Sequence, residues 1–199
     1  MPSLILASQS PRRKQLLEQM DFSFTVKTSS IVETMNDDSS PADVVQKLAR
    51  EKAKAVWNAH RDAVVLAADT VVVYDGKILG KPRDEREAIE MLRLLSGRIH
   101  HVYTGVALCS TDGDESFAEQ TAVEFYPLTE EDIFMYVKSG EPLDKAGAYG
   151  IQGLGALFVK RIEGDYFNVV GLPIAKTTRA LIKKGIYPGF YKKAKGESS

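Results

Sequence analysis

The apolar positions change period along the chain, and the changes mark out its elements. Leu4 to Ala7 is an unbroken apolar run, the pattern of a short buried strand, and it leads through Ser10-Pro11-Arg12-Arg13 into an amphipathic stretch ending near Met20. Ser10 as cap and Pro11 at the first helical position predict a helix there, because that proline gives up an N–H with no intrahelical partner. Phe22 to Thr28 alternates like a strand. Ser40-Pro41 is a second start signal, and Val44, Val45, Leu48 and Val56 recur at helical spacing up to about His60, which carries Lys52 along. Ala63 to Ala68 is again continuously apolar, Asp69-Thr70 interrupts it, and Val71 to Tyr74 resumes. Asp75-Gly76 is a hairpin turn signal.

The second half continues the alternation of helices and strands. Asp84 to Leu95 fits a helix that Gly97 would close in the left-handed conformation. His100 to Cys109 and Phe117 to Tyr126, joined by Thr111-Asp112-Gly113-Asp114, predict an antiparallel hairpin. Thr129 caps a helix ending near Gly140. Gly147, Gly150, Gly153 and Gly155 then crowd into nine positions, the mark of a loop whose backbone approaches something closely. Strands over 156–161 and 166–169 and a helix opened by Pro173 complete a mixed α/β sheet with a central cleft. The expected organisation is a single domain over residues 1–191 and a small, polar, frayed tail over 192–199.

Composition narrows the function classes. With 27 acidic and 26 basic residues among 199, no long-range field draws the protein to nucleic acid or an anionic membrane, so any phosphate binding is local. Apolar runs fall short of the roughly 18 residues that a membrane span needs, and the start lacks the basic flank of a secretion signal. The expectation is a cytoplasmic protein with neither a membrane nor a nucleic-acid partner. Cys109 is the single cysteine, which excludes an internal disulfide and suits a reducing compartment. An inert buried thiol is the expectation for it, and His60, His100 and His101 lack the second ligand cluster of a zinc site.

Three places carry candidate chemistry. The strand-turn-helix at Leu4 to Arg13 offers the N–H groups and positive dipole end of a helix together with Ser8, Arg12 and Arg13, a phosphate site in which an arginine fork grips two oxygens. Taken locally, it also describes an ordinary capped helix with two solvated arginines. Asp69 ends a buried apolar run, where a carboxylate needs a metal, a cation or backbone donors as partner. A turn aspartate bonded to nearby N–H groups is the structural alternative. Lys81 in Gly80-Lys81-Pro82, Glu33 and Lys52 say little singly. Together, carboxylates for a divalent cation and cations for a triphosphate match what phosphoanhydride cleavage requires.

The chain resembles the Maf family of nucleotide pyrophosphatases through Ala7-Ser8-Gln9-Ser10-Pro11-Arg12-Arg13, Ala68-Asp69-Thr70, Gly80-Lys81-Pro82, Leu95-Ser96-Gly97 and the segment from Asp144 to Gly153, DKAGAYGIQG, in order over nearly the whole length. The resemblance implies a Maf/HAM1-like α/β fold: a mixed, twisted sheet with flanking helices that form two lobes around a central cleft, in a homodimer. It implies hydrolysis of nucleoside triphosphates to monophosphate and pyrophosphate with a divalent cation, Mg2+ or Mn2+. Carried over by position, Asp69 is the proton acceptor and, with Glu33, a metal ligand, while Ser8, Arg13, Lys52 and Lys81 hold the phosphates. Arg12, Thr70 and Gln152 stand where the subfamily acting on dTTP and UTP carries its selective residues. A pyrophosphatase of 7-methyl-GTP or other modified nucleotides, and a non-hydrolysing nucleotide-binding regulator of cell division, are the competing readings. Intact Ser8, Asp69 and Lys81 count against the regulator.

Overall fold

The computed structural model describes residues 2–28 and 39–194. In chain order these form β1 (Leu4–Leu6), α1 (Pro11–Gln19), β2 (Thr25–Val26), α2 (Pro41–Trp57), β3 (Val64–Tyr74), β4 (Lys77–Leu79), α3 (Glu85–Leu95), β5 (Ile99–Cys109), β6 (Glu115–Phe125) and α4 (Glu130–Lys138). Three 3-10 turns follow, Glu141–Asp144, Ala146–Ala148 and Gly153–Phe158, and then β7 (Val159–Glu163), α5 (Tyr166–Val170), α6 (Ile174–Lys183) and α7 (Gly189–Ala194). The strands make one sheet in the order β2-β1-β3-β5-β6-β7, with β4 added on β3. It is mixed: β1 runs parallel to β2 and β3, whereas β4 is antiparallel to β3 and β7 to β6. This is the expected mixed α/β class.

The described chain divides into two compact units, and passes between them inside β3, β5 and β6 and again after α5. The first contains the chain up to Asp69, Thr104–Ala118 and everything from Gly171. Its core joins α2, through Ala49, Ala53 and Val56, to Ile5, Ala7, Val65, Ala67, Ala107 and Cys109. Small residues let this helix lie directly on the sheet: a Cβ at Gly105 would stand 2.3 Å from the Val45 carbonyl. The second unit contains Thr70–Tyr103 and Glu119–Val170. Leu92 and Leu95 of α3 and Ile133, Tyr136 and Val137 of α4 bury against Val102, Val123 and Phe125 there. Each fully buried leucine of this kind contributes about 1.5–3 kcal/mol.

Local signals explain most boundaries. Asp84 accepts from the Glu87 N–H at 2.8 Å, Ser40 from Asp43 at 3.2 Å, and Thr129 forms a reciprocal capping box with Asp132. Asp75 and Gly76 both have positive φ, 49° and 73°, which turns β3 into β4 in two residues. Ser10 occupies the N-cap of α1, yet its side chain makes no cap hydrogen bond.

Three segments differ from the pattern-based expectation. Within 22–28 the strand is only Thr25–Val26, with one further bond from the Lys27 N–H to Leu6 O, while Phe22 is buried and its N–H closes α1 by donating to Leu17 O. Residues 156–158 finish a 3-10 turn before β7 starts at Val159. Tyr166–Val170 is a helix, not a strand. Asp165 Oδ1 accepts from the Phe167 N–H at 2.8 Å at its start, and Asn168 donates to Val102 O and Thr121 Oγ1, a tether that an apolar run this short does not announce. Among the described residues no helix is long and apolar enough to cross a membrane.

Candidate active site

β1 and β3 pair in parallel as far as Leu6 and Leu66, and the Ala7 N–H continues the ladder to Leu66 O at 2.7 Å. Ser8 and Asp69 therefore both lie beyond the carboxyl end of this parallel pair, where α/β sheets present ligand-binding groups. From Ser8 the chain turns directly into α1. Ser8 Oγ accepts from the Ser10 N–H at 3.2 Å and from Arg13 Nη1 at 3.1 Å, while Arg13 Nε donates to Gly171 O at 2.7 Å. The guanidinium is thus clamped from two sides and held over the turn. Ser10 supplies no side-chain cap to α1, whose N-terminal N–H groups are the kind of donors that bind anions. Arg12 stands beside Arg13 on α1, half-buried.

Asp69 meets a cation. Lys52 lies three residues after Ala49 and four before Val56, at the border of the buried face of α2, and its Nζ donates to Asp69 Oδ1. The side chains are 21% and 13% exposed, so the pair is largely withdrawn from water. The turn-aspartate alternative gives way to an aspartate paired with a lysine. Ser8, Arg13, Lys52 and Asp69, four of the nine expected residues, all belong to the first unit and form two bonded pairs.

Three expected residues belong to the second unit. Thr70 is the next residue along β3 and is half-buried. Lys81 is exposed and follows β4, where Gly80 O accepts from the Gly147 N–H at 3.0 Å. Gln152 is half-buried in the glycine-crowded segment. Close approach is the reason for that crowding: a Cβ on Gly147 would meet Val72 at 2.7 Å, and one on Gly155 would meet Gly150 O at 2.3 Å. Glu33 lies outside the described residues, and with it the second expected metal ligand. Among the described residues, no three His, Cys, Asp or Glu side chains gather around a possible ion.

Sequence reading missed the hydrogen-bonded pair of Tyr136 and Glu141, which binds the backbone on either side of Gln152. Their partners are largely backbone N–H groups, which leave no trace in the pattern of side chains, so only the clustered glycines hinted at them. Cys109 is buried, and desolvation followed by the nearby Asp114 charge pushes its thiol up to about 12, which leaves it a poor nucleophile.

A family description, "Maf-like protein", matches residues 3–184 of the chain. A dTTP/UTP pyrophosphatase of Geobacillus sp. (strain WCH70) is 58% identical over 185 residues, 93% of this chain and 100% of the relative. One of Halalkalibacterium halodurans is 56% identical over 190 residues, 96% of this chain and 100% of the relative. A solved HAM1 protein from Coxiella burnetii superposes with a TM-score of 0.49 at 16% identity, covering 92% of this chain and 100% of its own.

Proposed function

The chain belongs to the Maf family, and we propose that it hydrolyses dTTP and UTP between the α and β phosphates, releasing the nucleoside monophosphate and pyrophosphate. One observation carries the reading: a carboxylate paired with a lysine, Asp69 with Lys52, beyond the same end of the β1–β3 parallel pairing as the clamped Ser8–Arg13 turn. Anion-binding groups and a proton acceptor together are what phosphoanhydride hydrolysis needs.

Arg13, Lys52 and the N–H groups of α1 hold phosphate oxygens, and Ser8 fixes the Arg13 fork through its hydroxyl; Lys81 is the further phosphate-binding residue that the resemblance implies. With Lys52 engaging Oδ1, Asp69 directs Oδ2 at a water. Asp69 takes the water's proton as the oxygen attacks the α phosphorus, and the α–β bridging oxygen leaves with pyrophosphate. Asp69, with Glu33 and phosphate oxygens, would hold Mg2+ or Mn2+, since Mg2+ is bound by one or two carboxylates plus substrate phosphates. When bound, the metal supplies neutralisation of the triphosphate charge. Of the residues that the resemblance assigns to base selection, Gln152 suits the imide edge shared by thymine and uracil, because its amide both donates and accepts.

Chromatography of the products of UTP cleavage tests the assignment. UMP with pyrophosphate is the expected result, and a dominant UDP peak with orthophosphate overturns it. A cytoplasmic homodimer belongs to the same proposal, its stoichiometry open to measurement by light scattering.

A further inference from the structure

We propose that Glu141 is a positioning residue for base selection, holding the turn that presents Gln152. The inference rests on the reading of Gln152 as the base-reading residue.

Glu141 starts the 3-10 turn after α4, and its carboxylate is spent on one segment. Oε1 accepts from the Tyr136 hydroxyl at 3.0 Å and from the Gly155 N–H at 3.2 Å, while Oε2 accepts from the Leu154 N–H at 3.0 Å. The Tyr136 hydroxyl in turn accepts from the Gly150 N–H at 3.2 Å. The Tyr136–Glu141 pair therefore grips the chain on both sides of Gln152, at Gly150 before it and at Leu154 and Gly155 after it. Glu141 is itself held, because Lys145 Nζ donates to its backbone carbonyl at 2.6 Å. The glycines fit this grip: a Cβ on Gly153, whose φ is +74°, would stand 2.7 Å from Glu141 Oε2, so the carboxylate reaches the backbone only because that side chain is missing.

The arrangement is one-sided in its chemistry. A carboxylate accepts at both oxygens, and here all three donors point at it, two of them backbone N–H groups. A glutamine at position 141 has one oxygen, so its amide nitrogen must face the N–H of either Leu154 or Gly155, donor against donor. The ring of Tyr136 packs edge-on against Phe158, with centroids 4.8 Å apart, independently of its hydroxyl. The aromatic anchor and the polar grip can therefore be separated by substitution. Neither Glu141 nor Tyr136 is needed to hold phosphate or to move a proton in the proposed mechanism, so loosening the grip should change which base is accepted more than how fast an accepted nucleotide is cut.

The test compares kcat/KM for UTP and CTP in the parent, Glu141→Gln, Tyr136→Phe, Gln152→Ala and the double variant Glu141→Gln/Gln152→Ala. Gln152→Ala is expected to lower the UTP-over-CTP ratio by roughly tenfold or more, the usual scale for a lost base-edge hydrogen bond. Glu141→Gln should lower it by at least about fivefold, mostly through KM, with kcat for UTP kept within about twofold, and the double variant should be no less selective than Gln152→Ala alone because both changes act through one residue. Tyr136→Phe should move the ratio in the same direction, and it supplies the answer if the Glu141 variant does not fold. An unchanged ratio in Glu141→Gln and Tyr136→Phe, with Gln152→Ala less selective, overturns the positioning role and leaves Gln152 standing. A further loss in the double variant shows that Glu141 acts elsewhere and also overturns it. An unchanged ratio in Gln152→Ala removes the base-reading role itself, and this proposal with it.

Discussion

Asn in place of Asp69 keeps the size of the side chain and one carbonyl oxygen, and it can still accept from Lys52 Nζ as Asp69 Oδ1 does. What it cannot do is take a proton from water at neutral pH or offer a charged oxygen to a divalent cation. General-base catalysis is worth about 100- to 10,000-fold, so Asp69→Asn should lower turnover of UTP by at least roughly 100-fold while the protein stays folded. Steady-state hydrolysis together with circular dichroism checks both halves, and a folded variant with close to parental turnover would remove Asp69 from the chemistry. In the proposed reaction Ser8 and Arg13 act on the phosphate side. Because Arg13 is held by both Ser8 Oγ and Gly171 O, its fork is fixed before a phosphate arrives, and less side-chain entropy remains to be lost on binding.

The elements differ in how openly the chain announces them. Caps are legible because their partners lie three residues away: Ser40 with Asp43, Asp84 with Glu87 and Thr129 with Asp132 all fall where the pattern puts a helix start. The Asp75-Gly76 turn is legible for the same local reason. α5 is not, because what makes Tyr166–Val170 helical includes the bonds of Asn168 to Val102 and Thr121, residues 66 and 47 positions away. The site divides in the same manner. The residue types at Ser8, Arg13, Lys52 and Asp69 are visible, whereas the pairing of Lys52 with Asp69 needs the register of α2 on the sheet, and Glu141 is silent because it serves backbone groups. The local signals can be tested by themselves. Thr129 is exposed, and Thr129→Ala removes the acceptor for the Asp132 N–H and the side-chain half of the box, at a cost of about 1 kcal/mol. In a chain of this size that should lower the melting temperature by about 2–4 °C without changing turnover, whereas an unchanged melting curve would mean that α4 is held by Ile133, Tyr136 and Val137 alone.

At the scale of the whole molecule, folding buries ionisable groups that water would otherwise serve, and this ties stability to pH. His100, near the start of β5, is fully buried; it meets Phe125 and Tyr149 edge-on, and its Nε2 shares a 2.8 Å hydrogen bond with the Tyr149 hydroxyl. Burial first, and the neighbouring His101 second, lower its pKa to about 3. In the unfolded chain the same imidazole titrates near about 6.5. Between these values the unfolded state binds a proton that the folded state refuses, so unfolding is favoured as pH falls. The stability that depends on a neutral His100 is complete above about pH 6.5 and is lost progressively toward pH 3, at up to about 1.4 kcal/mol per pH unit. By pH 5 the loss amounts to about 2 kcal/mol, in a window where most carboxylates are still ionised. In His100→Gln an amide still meets the Tyr149 hydroxyl but has no proton to take up. The variant should begin less stable than the parent at pH 7, through imperfect packing against Phe125, and should lose less on acidification. Denaturant unfolding at pH 7, 6 and 5 then gives two stability curves that converge as pH falls. Curves that stay parallel over this range would mean that His100 accepts its proton in the folded state, and that the fold opens at β5 to let it do so.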